Sequence, residues 1–71
     1  MKLGEFINHI KHNSVKIRII DYLLNTEIYN GDIGCYKTSV IKSSINDCLL
    51  VYIKPDNFKD ELLNLYIVKE K

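Results

Sequence analysis

Leu3, Phe6, Ile7 and Ile10 fall at i, i+3, i+4 and i+7, one apolar stripe of an amphipathic helix. His9, Lys11 and His12 lie mostly off the stripe and Asn13-Ser14 offers a stop, so a short helix is expected over about residues 3–11. The period then changes to two. Val15, Ile17 and Ile19 alternate with Lys16 and Arg18, and β-branched residues at that spacing predict a strand running on through Tyr22 and Leu23. Asn25-Thr26 reads as a turn, Glu27-Ile28-Tyr29 as the start of a return strand, and Gly31 to Gly34 as its end. Together these predict a β-hairpin.

Ser39 stands where it could cap a short helix carrying Val40, Ile41, Ser44, Ile45 and Cys48 at helical spacing; an irregular crossover is the alternative. Leu49 to Lys54 reads as a third strand, closed by Pro55-Asp56-Asn57. The tail carries two patterns. Phe58, Leu62 and Leu65 suit a helix, whereas Leu63, Leu65 and Ile67 suit a strand, and the strand formers Leu65-Tyr66-Ile67-Val68 favour a strand over about residues 61–69. The expected fold is α+β. A small antiparallel sheet of about four strands carries one or two short helices on one face, in the order α-β-β-(α)-β-β, within a single domain spanning residues 1–71.

Alternation sorts the strand side chains onto two faces. One collects Val15, Ile17, Ile19, Ile28, Leu49, Val51, Ile53, Leu63, Leu65 and Ile67, and the helices should cover it. The other collects Lys16, Arg18, Ile20, Tyr22, Tyr29, Leu50, Tyr52, Lys54, Leu62, Asn64, Tyr66 and Val68. A solvated face would be dominated by residues such as Thr, Lys and Glu. This one mixes tyrosines, aliphatics and cations, and no further helix is left to cover it. An exposed patch of that kind marks an interaction site, and Tyr and Arg are enriched at binding hot spots.

Three readings of that face compete. The tyrosines could lie flat and pack on each other. The face could be a protein interface, either a homodimer contact or the site for a host target. It could also be a single-stranded nucleic-acid platform, with bases on Tyr22, Tyr52 or Tyr66 and phosphates near Lys16, Arg18 and Lys54. The protein interface is preferred, with Lys16, Arg18, Tyr22, Tyr29, Tyr52, Lys54 and Tyr66 as its candidate residues. Asp56, Asp60 and Glu61 form a local acidic cluster, read as a solvated loop tip or as a contact to a basic partner.

Composition narrows the partner. The net charge of +1 gives no global field toward nucleic acid or membrane, and the aromatic motifs of the common RNA-recognition sheets are lacking. No apolar run approaches the roughly 20 residues of a membrane span. The two cysteines, Cys35 and Cys48, with no secretory apolar segment, read as reduced thiols in a cytosol. A domain of this size has a thin stability margin, and without a disulfide a partner or self-association becomes the candidate stabiliser.

The chemistry-bearing residues form no recognisable catalytic or metal motif. His9, His12, Cys35 and Cys48 could in number ligate a metal, but no Cys-x-x-Cys exists. Nothing around either cysteine supports a Cys-His nucleophile pair, and no cleft is expected in so small a domain. Gly31-Asp32-Ile33-Gly34 lacks the Lys-Ser/Thr of a phosphate loop and reads as a turn. A non-enzymatic protein with no cofactor and no metal is expected.

Ile, Lys, Asn and Tyr fill 32 of the 71 positions, and their AT-rich codons point to an AT-rich genome. Leu3-Gly4-Glu5-Phe6-Ile7, Val15-Lys16-Ile17-Arg18-Ile19 with Asp21 two residues on, Ile28-Tyr29-Asn30-Gly31, Ser39-Val40-Ile41 and the final Ile67-Val68 carry a resemblance. With the element order, they resemble small phage and prophage proteins of AT-rich Gram-positive bacteria. That resemblance transfers no catalytic residue. It implies a bacterial cytoplasm and a protein of the kind that blocks host machinery, of which anti-CRISPR proteins, inhibitors of CRISPR nuclease complexes, are the best-known group. The near-neutral charge departs from the strongly acidic inhibitors that imitate DNA and favours an ordinary protein–protein contact.

Overall fold

The computed structural model describes residues 1–55 and 62–69. Among these residues seven elements follow in order: α1 (Leu3–His9), β1 (Lys16–Asp21), β2 (Thr26–Asp32), α2 (Ile33–Thr38), α3 (Ile41–Ile45), β3 (Leu49–Pro55) and β4 (Leu62–Val68). The fold is α+β, with a four-stranded sheet in the order β2-β1-β4-β3. The outer pairs, β1–β2 and β3–β4, are antiparallel as expected; the central β1–β4 pair is parallel, which makes the sheet mixed.

The core lies on one side of the sheet. Leu3 and Ile7 of α1, Ile33 and Tyr36 of α2 and Ile45 of α3 meet Ile17, Ile19, Leu65 and Ile67 in one buried cluster. Cys48, in the segment after α3, completes it. The first helical stripe and the alternation in β1 and β4 therefore place their apolar residues as the pattern requires. Ile20 is buried too, but it stands outside this cluster, on the opposite face of β1.

Short helices need help at their ends, because their first backbone N–H groups have no intrahelical acceptor. In α1 the help is tertiary: Leu3 N donates to Cys48 O at 2.9 Å and Gly4 N to Asn46 O at 3.0 Å. A Cβ at Gly4 would sit 2.9 Å from Asn46 Cγ, so glycine permits that approach. Asn46 Oδ1 in turn accepts from Tyr36 Oη at 2.9 Å.

In α2 the help is local. Asp32 caps the helix, accepting from Cys35 N at 2.7 Å. The expected turn at Gly31-Asp32-Ile33-Gly34 is thus the end of β2 and the first turn of a helix. The expected Ser39 cap is also replaced: Ser39 ends α2, and its Oγ donates to Tyr36 O at 2.7 Å. Two short helices stand where the pattern predicts one.

The β1–β2 turn is set by Asp21, whose Oδ1 accepts from Leu23 N and Leu24 N at 3.0 and 3.1 Å. Asn25 follows at φ 52°, a left-handed conformation that asparagine tolerates. At the other margin, Lys2 forms an isolated bridge to Leu49, and Leu50 N donates to Met1 O at 2.9 Å. The start of β3 therefore has a neighbour on its outer side. The tail is a strand, as favoured; the choice between helix and loop before it falls on residues outside those described, with Asp56, Asp60 and Glu61.

Both outer strands carry register shifts. One lies between Ile19 and Ile20 against β2, the other at Val51 between Leu50 and Tyr52 of β3. Such bulges place two residues opposite one and reset the alternation beyond them.

Two tests follow. Ile17→Ala should lower unfolding free energy by about 2–5 kcal/mol in urea titration, the usual cost of an unfilled core site. Hydrogen bonds from Cys35, first its backbone N–H and then its side chain, hold the Asp32 carboxyl below its ordinary 3.8. A lowered folded-state value contributes stability at neutral pH that is lost as pH falls below 3.8. Asp32→Asn should remove that part of the acid loss, seen as a flatter stability–pH curve between pH 5 and 2 measured by circular dichroism (about these bounds).

Candidate interaction face

The side of the sheet away from the helices is built in rows across the strands. Residues paired in register share a face, so Ile20, Tyr66 and Tyr52 form one row, with Glu27 on its outer end. The next row is Asn30, Arg18, Asn64 and Lys54; beyond it stand Asp32, Lys16 and Leu62. On the other side of the tyrosine row, Leu49 pairs with Val68, and Tyr22 extends β1 by donating its N–H to Ile67 O at 2.9 Å.

Three tyrosines converge. The Tyr22 and Tyr66 rings meet edge to face at 6.3 Å between centroids, and Tyr52 and Tyr66 lie tilted at 5.6 Å. Such pairs contribute about 0.5–1.5 kcal/mol beyond the area they bury. Packing on each other, the first of the three readings, is therefore real, but it leaves Tyr22 56% and Tyr52 53% exposed. An open hollow of about 350 Å³ lies between Tyr22, Val51 and Tyr52. Leu23 and Leu24, in the adjoining turn, are each 74% exposed. They were not among the expected site residues. Their signal was two consecutive leucines where a turn calls for polar residues.

The expected site divides accordingly. Tyr22, Tyr52 and Tyr66 are brought together, with Lys16, Arg18 and Lys54 in the neighbouring rows. Tyr29 is a correction. It pairs with Ile19 and so stands on the helix-covered face, where its ring meets Tyr36 edge to face at 5.4 Å and its hydroxyl donates to Asp32 O at 2.8 Å. Gly31 makes room, since a Cβ there would lie 2.7 Å from Tyr29 Oη. The β3 bulge produces three more exchanges. Leu50 turns to the core, while Leu49 joins the open face and Val51 borders its hollow.

The polar rows are only partly neutralised. Arg18 Nε donates to Glu27 Oε1 at 2.6 Å, an exposed pair of the kind that stabilises by under about 1 kcal/mol. Lys16 faces Asp32 across the strands, whereas Lys54 has no ion-pair partner among the described residues. Asn64, at the centre of the face, keeps a shielded Oδ1 that accepts no hydrogen bond among the described residues.

The other sequence candidates are dispersed. His9 Nδ1 donates to Glu5 O at 2.6 Å at the end of α1, and His12 is exposed in the loop beyond. Cys48 is buried and Cys35 exposed, and neither forms a disulfide. Asp32, through its side-chain hydrogen bond and its charge, raises the Cys35 thiol above its ordinary value, which keeps it protonated. Among the described residues, no three His, Cys, Asp or Glu side chains gather as a metal site would require, and no helix is long and apolar enough to cross a membrane.

Chemical modification reads this arrangement directly. Nitration acts on ionised, accessible phenols, and burial pushes the Tyr36 hydroxyl up to about 12 and raises Tyr29 as well. Peptide mapping after brief nitration at pH 8 should find Tyr22 and Tyr52 modified well before Tyr29 and Tyr36; equal rates would contradict the two-sided placement.

Comparison of the chain with family models, with curated proteins and with solved structures finds no match.

Proposed function

We propose that this protein is a non-enzymatic binding module that docks a partner protein on the open face of its sheet. The observation that carries the reading is the aromatic cluster of Tyr22, Tyr52 and Tyr66, two of its rings half-exposed, bordered by Val51 and with the exposed Leu23 and Leu24 in the adjoining turn. It has the make-up of an interface centre, with apolar and aromatic groups inside and a rim of Arg18, Lys16, Lys54 and Glu27. Tyrosines suit that role because a large contact area is ordered at the cost of few rotatable bonds.

The narrower reading takes the partner to be a host defence effector in the bacterial cytoplasm, most plainly a CRISPR nuclease complex whose nucleic-acid binding or cleavage the contact blocks. Its support is the resemblance to small phage proteins. The near-neutral charge suits contact with a protein surface better than imitation of DNA.

The chain should co-elute with a purified CRISPR effector and suppress its cleavage of target DNA. Tyr52→Ala and Tyr22→Ala should each weaken the complex about tenfold or more while leaving the circular dichroism unchanged. No complex and no inhibition across effector types would end the narrower reading. Tight binding insensitive to both substitutions would end the assignment of the face. Binding to a single-stranded oligonucleotide that falls steeply with salt would instead identify a nucleic-acid platform.

A further inference from the structure

We propose that, in the free protein, the open face closes on a second copy of this chain, the two sheets stacking about a two-fold axis that runs across the strands along the Ile20–Tyr66–Tyr52 row. The proposal rests on reading this face as a docking surface and names its occupant when no other protein is present.

The layout of charge selects the axis. The three cations of the face among the described residues lie in the rows on one side of the tyrosine row, with Leu62 beside Lys16, while Tyr22, Val68 and Leu49 lie on the other. An axis along the strands would gather both copies of Lys16, Arg18 and Lys54 at one end, where like charges oppose association. An axis along the tyrosine row sends the two sets to opposite ends. It sets each tyrosine row on its own copy. Because Arg18 and Tyr22 are each two residues from Ile20, it also carries Arg18 toward the partner's Tyr22, a cation over an aromatic ring. Glu27 meets its own copy only at the rim, where Arg18 already neutralises it at 2.6 Å. A contact of this kind is isologous and closes on itself.

The size of the face agrees. The three rows that overlap under this axis, two across four strands and one across three, span about 20 by 20 Å, and with projecting side chains the accessible area is of the order of the ~800 Å² per partner in a standard interface. The edge of β3 is a poorer route. Met1 already takes the Leu50 N–H, Pro55 has no N–H to give, and the Val51 bulge breaks the ladder between them.

Sedimentation equilibrium from low to several hundred micromolar tests the idea. The wild-type chain should move toward twice its 8.3 kDa mass. Tyr52→Glu and Val51→Lys, both at exposed positions, should raise the dissociation constant at least about thirtyfold with circular dichroism unchanged, the size of a hot-spot loss. Lys11→Glu, in the exposed α1–β1 loop, should leave the mass profile as it is. Mixed isotope labelling of the wild-type protein reads the same contact without any substitution, through intermolecular ring contacts at Tyr52 and Tyr66. A strict wild-type monomer, folded variants that still dimerise, or a dimer lacking those ring contacts would each overturn the proposal. A monomer whose capture of a foreign partner is abolished by Tyr52→Glu would sink the self-docking while leaving the docking face itself standing.

Discussion

The parallel pairing of β1 with β4 is the constraint on which the rest of the molecule depends. It joins two antiparallel pairs, β2–β1 and β4–β3, into one sheet and places the most deeply buried strands at its centre. Ile17, Ile19, Leu65 and Ile67 thereby stand side by side as the floor of the core, and three short helices supply its roof. None of those helices is long enough to be stable alone. Each is held by what it buries, and α1 further by the carbonyls of Cys48 and Asn46.

The same pairing creates the open face. With α1, α2 and α3 all committed to one side, Ile20, Tyr66 and Tyr52 are left to cover the other. Ile20 is buried there by its neighbours rather than by the core. Tyr66, at the centre of the sheet, is flanked by the rings of Tyr22 and Tyr52, so the cluster is supported from both sides yet presents two half-exposed rings.

Much of this was legible in the sequence. Helix periodicity located α1, alternation located β1 and β4, and both faces of those two central strands were assigned correctly from parity alone. Parity failed at Tyr29, Leu49, Leu50 and Val51, all on the outer strands. The cause is physical: a bulge adds one residue to one strand, and every side chain past it changes sides. No local signal marked Val51 or Ile28 as the extra residue. The capping chemistry was misplaced too. Ser39 and Asp32 are both competent caps, but the α2 that Asp32 starts ends at Ser39 and takes up its hydroxyl. The parallel centre was not legible either, because alternation reports which way a side chain points and carries nothing about strand direction.

The sheet's two boundaries have unequal consequences for assembly. A bare edge can recruit copy after copy and grow without limit, whereas a face used once is used up. On β3 the bridge to Lys2, the bulge, Lys54 and Pro55 all stand against sideways growth, and on the opposite edge the bulge at Ile28 interrupts β2. What remains adhesive is a flat surface with a polar end and an apolar end. A protein so arranged can be sticky enough to hold a partner and still be spared from becoming a fibre.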